Sequence, residues 1–236
     1  MPIGIQDFEK LRRGNKLYVD KTEKLLKLTQ KVDHVFLSRP RRFGKSLTLS
    51  TLEAMYSGDR ALFNGLYFGE WLKNHEFKPA PVLSIDMGGI ITESPETLKI
   101  SLRRRSRSIA DGQSVQTSST EPGDILLDIL EKLSEPGVLL IDEYDKPILD
   151  SLSEPQRRES LRSFLQIFYS VVKSSDRYLV ERFLRLGSSA FRPKALNAKG
   201  RKGFSPRIYG RRIVSAASSA EAARRASILF DAPSFR

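Results

Sequence analysis

The run VLLIDEYDKP, from Val138 to Pro147, constrains the fold more than any other part of the chain. Four apolar residues, Val138, Leu139, Leu140 and Ile141, are followed at once by Asp142 and Glu143. A strand buried on both faces reads as a short continuous apolar run, and such strands belong to parallel sheets. Open α/β sheets collect ligands outside the carboxyl ends of their strands. Two adjacent carboxylates at that position have the chemistry to hold a hard cation and to polarise a water. Taken alone, the run reads equally well as a core strand that ends in a solvated acidic turn.

A second segment, HVFLSRPRRFGKSLTLSTLEAMYSG from His34 to Gly58, bears on that choice. His34 to Ser38 has the composition of a short strand, and Arg39 to Gly44 that of a loop. Lys45 to Ser57 predicts a helix with apolar Leu47, Leu49, Leu52 and Met55, closed by Gly58. Gly44-Lys45-Ser46 is the second half of a phosphate loop, the Walker A pattern. Its backbone N–H groups and the helix N-terminus suit a phosphate. Lys45 is placed to reach the β- and γ-phosphates, and the Ser46 hydroxyl to ligate Mg²⁺. The full pattern has glycine at position 39, where this chain has Arg39; Pro40 stiffens the loop, and Arg39, Arg41 and Arg42 crowd it with charge. The plainer alternative is a basic strand-to-helix connection. Strand, loop, GKS and helix, followed later by an apolar strand ending in Asp-Glu, favour the phosphate loop. The later run is then a Walker B, with Asp142 supporting Mg²⁺ and Glu143 as the base that orients the attacking water. The candidate nucleotide-binding residues are Arg39, Arg41, Arg42, Phe43, Gly44, Lys45 and Ser46. Ser46 and Asp142 are the metal candidates and Glu143 the catalytic one. ATP and Mg²⁺ are the expected ligands.

Three segments, GIQDFEKLRRGNKLYVDKT (Gly4 to Thr22), FLSRPRRFGKSLTLSTLEAMYSG (Phe36 to Gly58) and VLLIDEYDKPILD (Val138 to Asp150), occur in order. Together they resemble the AAA-ATPase-like domain family of bacteria and archaea, over most of the chain from Met1 to about Ser174. In that family the loop is typically RPRRFGKS, so the resemblance accounts for Arg39. It implies a P-loop NTPase-like parallel sheet flanked by helices, and a place for YVDKT near the nucleotide. It also implies hydrolysis assisted by an arginine from a neighbouring subunit, hence a homo-oligomer. Family members often carry a restriction-endonuclease-like nuclease domain after the ATPase; this chain is too short to hold one.

A length of 236 residues suits one domain with a substantial core. There is no cysteine, which excludes disulfides and thiol chemistry, and the two histidines, His34 and His75, lack metal-ligand spacing. No apolar run is long enough to span a bilayer, so no membrane partner and a cytoplasmic location are expected. The net charge of +12 favours an anionic partner. However, positions 181–236 hold 13 basic and 3 acidic residues, leaving 27 basic against 25 acidic before them. The case for nucleic acid as a partner therefore rests on the basic tail.

Further elements follow the same rules. Thr22 is placed to cap a short helix carrying Leu25, Leu26 and Leu28; Arg60 to Phe63 predicts a helical turn, and Leu66 to Trp71 a satellite aromatic cluster. PVLSID (Pro81 to Asp86) predicts a second core strand, with Asp86 facing either the site or solvent. Ser94-Pro95-Glu96 opens a helix that runs into RRRSR (Arg103 to Arg107), read as a solvated face, a nucleic-acid contact or altered sequence. Ile125, Leu126, Ile129, Leu130 and Leu133 form a helical stripe before the Asp-Glu strand. Another helix starts near Ser153 with Leu161, Phe164, Leu165, Phe168, Val171 and Val172 inward. This alternation predicts a parallel sheet with helices on both faces, with the Asp-Glu strand directly beside the strand that leads into the phosphate loop; separation of the two would count against the phosphate-loop assignment.

An enzyme of this kind needs one more central strand after the Asp-Glu strand, carrying a polar sensor. The chain offers RYLVERFLRLGSSAF there, and Glu181, Arg182 and Arg185 argue against a buried strand; Ser188 or Ser189 is the substitute sensor. The domain is expected over residues 1–190, incomplete at its C-terminal side. Residues 191–236 form a poorly ordered basic tail with a short helix near Glu221. That tail is a nucleic-acid-binding arm, a solvated extension, or the product of a reading-frame shift, which the joint loss of order, charge balance and family likeness favours. The leading reading is an ATP-binding domain with weak hydrolysis. The alternatives are a non-enzymatic nucleic-acid-binding protein and a truncated, inactive remnant.

Overall fold

In a computed structural model of the chain, which describes residues 5–30, 34–38 and 44–186, four strands form one parallel sheet. They are β1 (His34–Ser38), β2 (Val82–Asp86), β3 (Gly137–Asp142) and β4 (Leu179–Leu186), in the spatial order β1-β4-β3-β2. The helices are α1 (Phe8–Arg13), α2 (Thr22–Thr29), α3 (Lys45–Ser57), α4 (Tyr67–Trp71), α5 (Pro95–Gly112), α6 (Pro122–Lys132), α7 (Lys146–Leu149) and α8 (Pro155–Ser174). A 3₁₀ turn covers Arg60–Phe63. The expected α/β class, with a parallel sheet between helices, is what forms.

The side chains of β3 divide the interior. Leu139 and Ile141 join Leu83 and Ile85 of β2 in a core made with α5, α6 and α8. Val138 and Leu140 face the other way, into a core made with α1, α2, α3, the 3₁₀ turn and α4. Strand residues alternate between faces, so β3 is covered on both. This is why its sequence is an unbroken apolar run. Val138, Leu139, Leu140 and Ile141 are all essentially inaccessible to solvent.

Local signals account for the helix ends. Gly44 precedes α3 at φ 69° and Gly58 follows it at φ 80°, conformations that glycine adopts without the penalty other residues incur. Ser94 caps α5 in a reciprocal arrangement with Thr97, followed by Pro95 in the first turn. Of the RRRSR run on α5, Ser106 is buried while Arg104, Arg105 and Arg107 are exposed.

Four expectations are corrected. Glu181, Arg182 and Arg185 do not prevent a strand: β4 pairs with β1 on one side and β3 on the other. The expected central strand is therefore present, and it separates β1 from β3, which were expected to be neighbours. Thr22 is not an N-cap but the first helical residue, after Lys21. The Tyr67 N–H donates to Asp20 Oδ2 (2.7 Å) and the Phe68 N–H to Thr22 Oγ1 (3.0 Å), so both side chains satisfy the start of α4. Finally, Leu66 and Phe68 are not a satellite but part of the core beside α3.

Candidate functional site

Because the strands are parallel, their carboxyl ends lie along one edge. The register sets Asp86 of β2 beside Asp142 of β3, and Ile141 of β3 beside Leu184 of β4. Continuing the alternation of β3, Asp142 falls on the face of Val138 and Leu140, the face covered by α3. Asp86 has the same parity on β2. The helix that follows β1 is α3, and it begins with Lys45 and Ser46 in its first turn. Lys45 is buried at 5 % exposure, and Ser46 is half-buried. The Gly44 carbonyl accepts the Thr48 N–H and hydroxyl, both at 2.9 Å, which locks the first turn of α3. Asp142 and Glu143 are half-buried, and Asp145 is buried. Arg39, Arg41, Arg42 and Phe43 lie outside the described residues, as do Ser188, Ser189 and the tail after residue 190.

Glu143 has a backbone feature that the sequence does not announce. Its φ is 49°, in the left-handed region that non-glycine residues rarely enter. Such conformations cost on the order of 1–3 kcal/mol and persist where the surroundings impose them. The surroundings here are hydrogen bonds on both sides. The Met87 N–H donates to the Asp142 carbonyl (3.0 Å), and the Lys146 N–H to the Glu143 carbonyl (2.8 Å). The β3 exit is thus tied backwards to the β2 exit and forwards to α7. The strain yields a prediction. Glu143→Gly is expected to be more stable than Glu143→Ala by about 1 kcal/mol in urea denaturation. Both variants lose the carboxylate, and at an ordinary site alanine is the more stable of the two. Equal stability would mean that the turn relaxes.

The loop after β2 is anchored as well. Thr92 Oγ1 donates to Asp150 Oδ2 (2.9 Å), and Arg157 donates to the Thr92 carbonyl through Nε (3.2 Å) and Nη2 (2.8 Å). Burial acts to raise the Asp150 carboxyl, but hydrogen bonds from Lys146 and Thr92 outweigh it and hold the group below the usual carboxylate range. The chain after β2 and the chain after β3 therefore form one braced unit. Asp145 and Gly88 belong to it, and sequence reasoning missed both. The signal for Asp145 was its place in IDEYDKP, two residues past Glu143.

These features define the class: an α/β protein with a helix N-terminus and paired carboxylates gathered at the carboxyl edge of a parallel sheet. The chain belongs to the family described as "Predicted AAA-ATPase", whose model matches residues 2–195. The match runs through β4, beyond the Ser174 limit expected from the sequence. A relative from Azotobacter chroococcum mcd 1, described as an uncharacterized protein in the vnfD 5' region, is 38 % identical over 189 residues, covering 76 % of this chain and 35 % of that protein. The chain thus spans about a third of the length of that relative. No solved structure matches it. Among the described residues no helix is long and apolar enough to cross a membrane, and no group of three or more acidic or histidine side chains could hold a metal ion.

Proposed function

We propose that this chain is a P-loop ATPase domain that binds ATP with Mg²⁺ and hydrolyses it slowly in the cytoplasm. The observation that supports the reading is topological: α3 starts, behind Gly44, after the carboxyl end of β1, and Asp142–Glu143 stand at the carboxyl end of β3 in the same parallel sheet. A helix N-terminus carries partial positive charge and unsatisfied N–H groups, which suit a phosphate. Lys45 adds a full charge in the first turn. The donors available to a metal are oxygens, the Ser46 hydroxyl and the Asp142 carboxylate, and magnesium prefers such donors. Two protein oxygens are enough, because magnesium in such sites completes its shell with phosphate and water. When bound, the ion would neutralise charge on the phosphates. Glu143 is the group that would take a proton from the attacking water. With β4 interposed, β1 and β3 lie two strand spacings, about 10 Å, apart, a gap that the long Lys45 side chain, the phosphates and the ion would span between them. A neighbouring copy would supply the arginine that P-loop enzymes use in trans.

Calorimetric titration with Mg²⁺-ATP tests the reading. The chain is expected to bind, and Lys45→Ala to bind at least about tenfold more weakly, the loss of a charge-assisted contact worth about 1.5–3 kcal/mol. Circular dichroism of the variant checks that α3 survives. Equal affinities, or no binding by either protein, would remove the phosphate-loop assignment.

A further inference from the structure

We propose that Gly88, in the turn after β2, is the seat on which the Glu143 carboxylate rests, so that β2 as well as β3 sets the position of the catalytic base. The inference rests on the reading of Glu143 as that base. A Cβ built on Gly88 would lie 2.9 Å from Glu143 Oε2 and 2.9 Å from Asp86 Oδ1, with Glu143 Cδ next at 3.4 Å. Real side chains do not approach so closely, so the absence of a side chain at position 88 is what lets both carboxylates sit there. The glycine is not required by its backbone, because its φ lies outside the left-handed region. It is required by the space. Asp86 shapes the same turn: its Oδ1 accepts the Gly88 N–H at 2.7 Å, which draws the backbone of residue 88 under the two carboxylates. The Met87 N–H then fastens the turn to the Asp142 carbonyl. The left-handed backbone of Glu143 aims the side chain towards this seat.

The three atoms that a methyl group at position 88 would meet first all belong to the ends of two flexible side chains. The fold should therefore accept it and the Glu143 carboxylate should move. A displacement of the order of 1 Å in a reacting group can cost up to about a hundredfold in rate.

The test compares Gly88→Ala, Asp86→Asn and Glu143→Gln in the full chain, by ATP affinity and by turnover. Gly88→Ala is expected to lower kcat about ten- to a hundredfold while the affinity stays near that of the unaltered chain. Asp86→Asn keeps an oxygen for the Gly88 N–H and should lose much less. If Gly88→Ala turns over normally while Glu143→Gln is inactive, the seat is wrong and the base assignment stands. If Glu143→Gln turns over normally, the base assignment itself fails. A stability cycle gives a readout that needs no turnover. Gly88→Ala should shift the urea midpoint more in the unaltered chain than in Glu143→Ala, where the carboxylate it would strike is gone. Equal shifts in the two backgrounds would overturn the proposal.

Discussion

Glu143→Gln is expected to lower ATP turnover about 10²- to 10⁴-fold, the usual contribution of a positioned general base, and to leave Mg²⁺-ATP binding nearly intact. The substitution keeps the size of the side chain and removes its ability to take a proton. The backbone demands are unchanged, because glutamine meets the same left-handed geometry at φ 49° as glutamate does. Steady-state hydrolysis and calorimetric affinity, measured on the same preparation, separate the two effects. A drop in affinity of similar size would assign Glu143 to ligand binding instead. Vigorous hydrolysis by the variant would move the base elsewhere, and Asp145, buried two residues on, would be the next residue to change. Absolute turnover by the unaltered chain is expected to be slow, since the sequence after β4 lacks a threonine in the sensor position.

Much of the candidate site's local structure was legible because its parts are local. An apolar run of strand length ending in Asp-Glu, and a Gly-Lys-Ser before a helical stripe, need only a few neighbouring residues to declare themselves. The predicted β1 and α3 have the observed bounds, His34–Ser38 and Lys45–Ser57. What was not legible is set by contacts across the sheet. Nothing in DMGGI (Asp86–Ile90) says that the second residue after the strand must leave room for a carboxylate from a different strand. Nor does local sequence reveal that Glu143 will turn left-handed, because that geometry is imposed by hydrogen bonds from Met87 and Lys146. The β4 case shows the opposite bias. Charge at Glu181, Arg182 and Arg185 argued against a strand from composition, while pairing with two neighbours supplied backbone hydrogen bonds that composition cannot report. Likewise, the aromatic residues of Leu66 to Trp71 read as peripheral because their partners, Phe8 and Phe63, are distant or poorly patterned in sequence.

Those aromatic partners carry the largest stability effect expected from one side chain. Phe63 is 1 % exposed. Its ring stacks on Phe8 at 5.1 Å and meets Phe68 edge-on at 4.8 Å. Phe8 begins α1, and its N–H donates to Ser50 Oγ of α3 (2.9 Å). Phe68 lies in the first turn of α4, where Asp20 and Thr22 are already engaged. Phe63 thus joins two segments that local sequence would leave independent. Phe63→Ala is expected to cost about 3–5 kcal/mol, the sum of lost burial and a cavity that three surrounding elements cannot close. Against a typical domain stability of about 5–15 kcal/mol, that is enough to populate partly unfolded chain. Urea denaturation followed by the fluorescence of Trp71, the only tryptophan, reports on this cluster directly, and circular dichroism reports on the whole. Ile167→Ala, on an α8 position that is 69 % exposed, should stay within about 0.5 kcal/mol of the unaltered chain. If Phe63→Ala also cost less than about 1 kcal/mol, the cluster would not be holding α1 and α4 against α3. The placement of Lys45 and Ser46 would then have to depend on the sheet alone. If the fluorescence midpoint falls well below the dichroism midpoint, the α1–α4 side opens separately from the α5–α8 side, and nucleotide binding should be lost at the lower of the two.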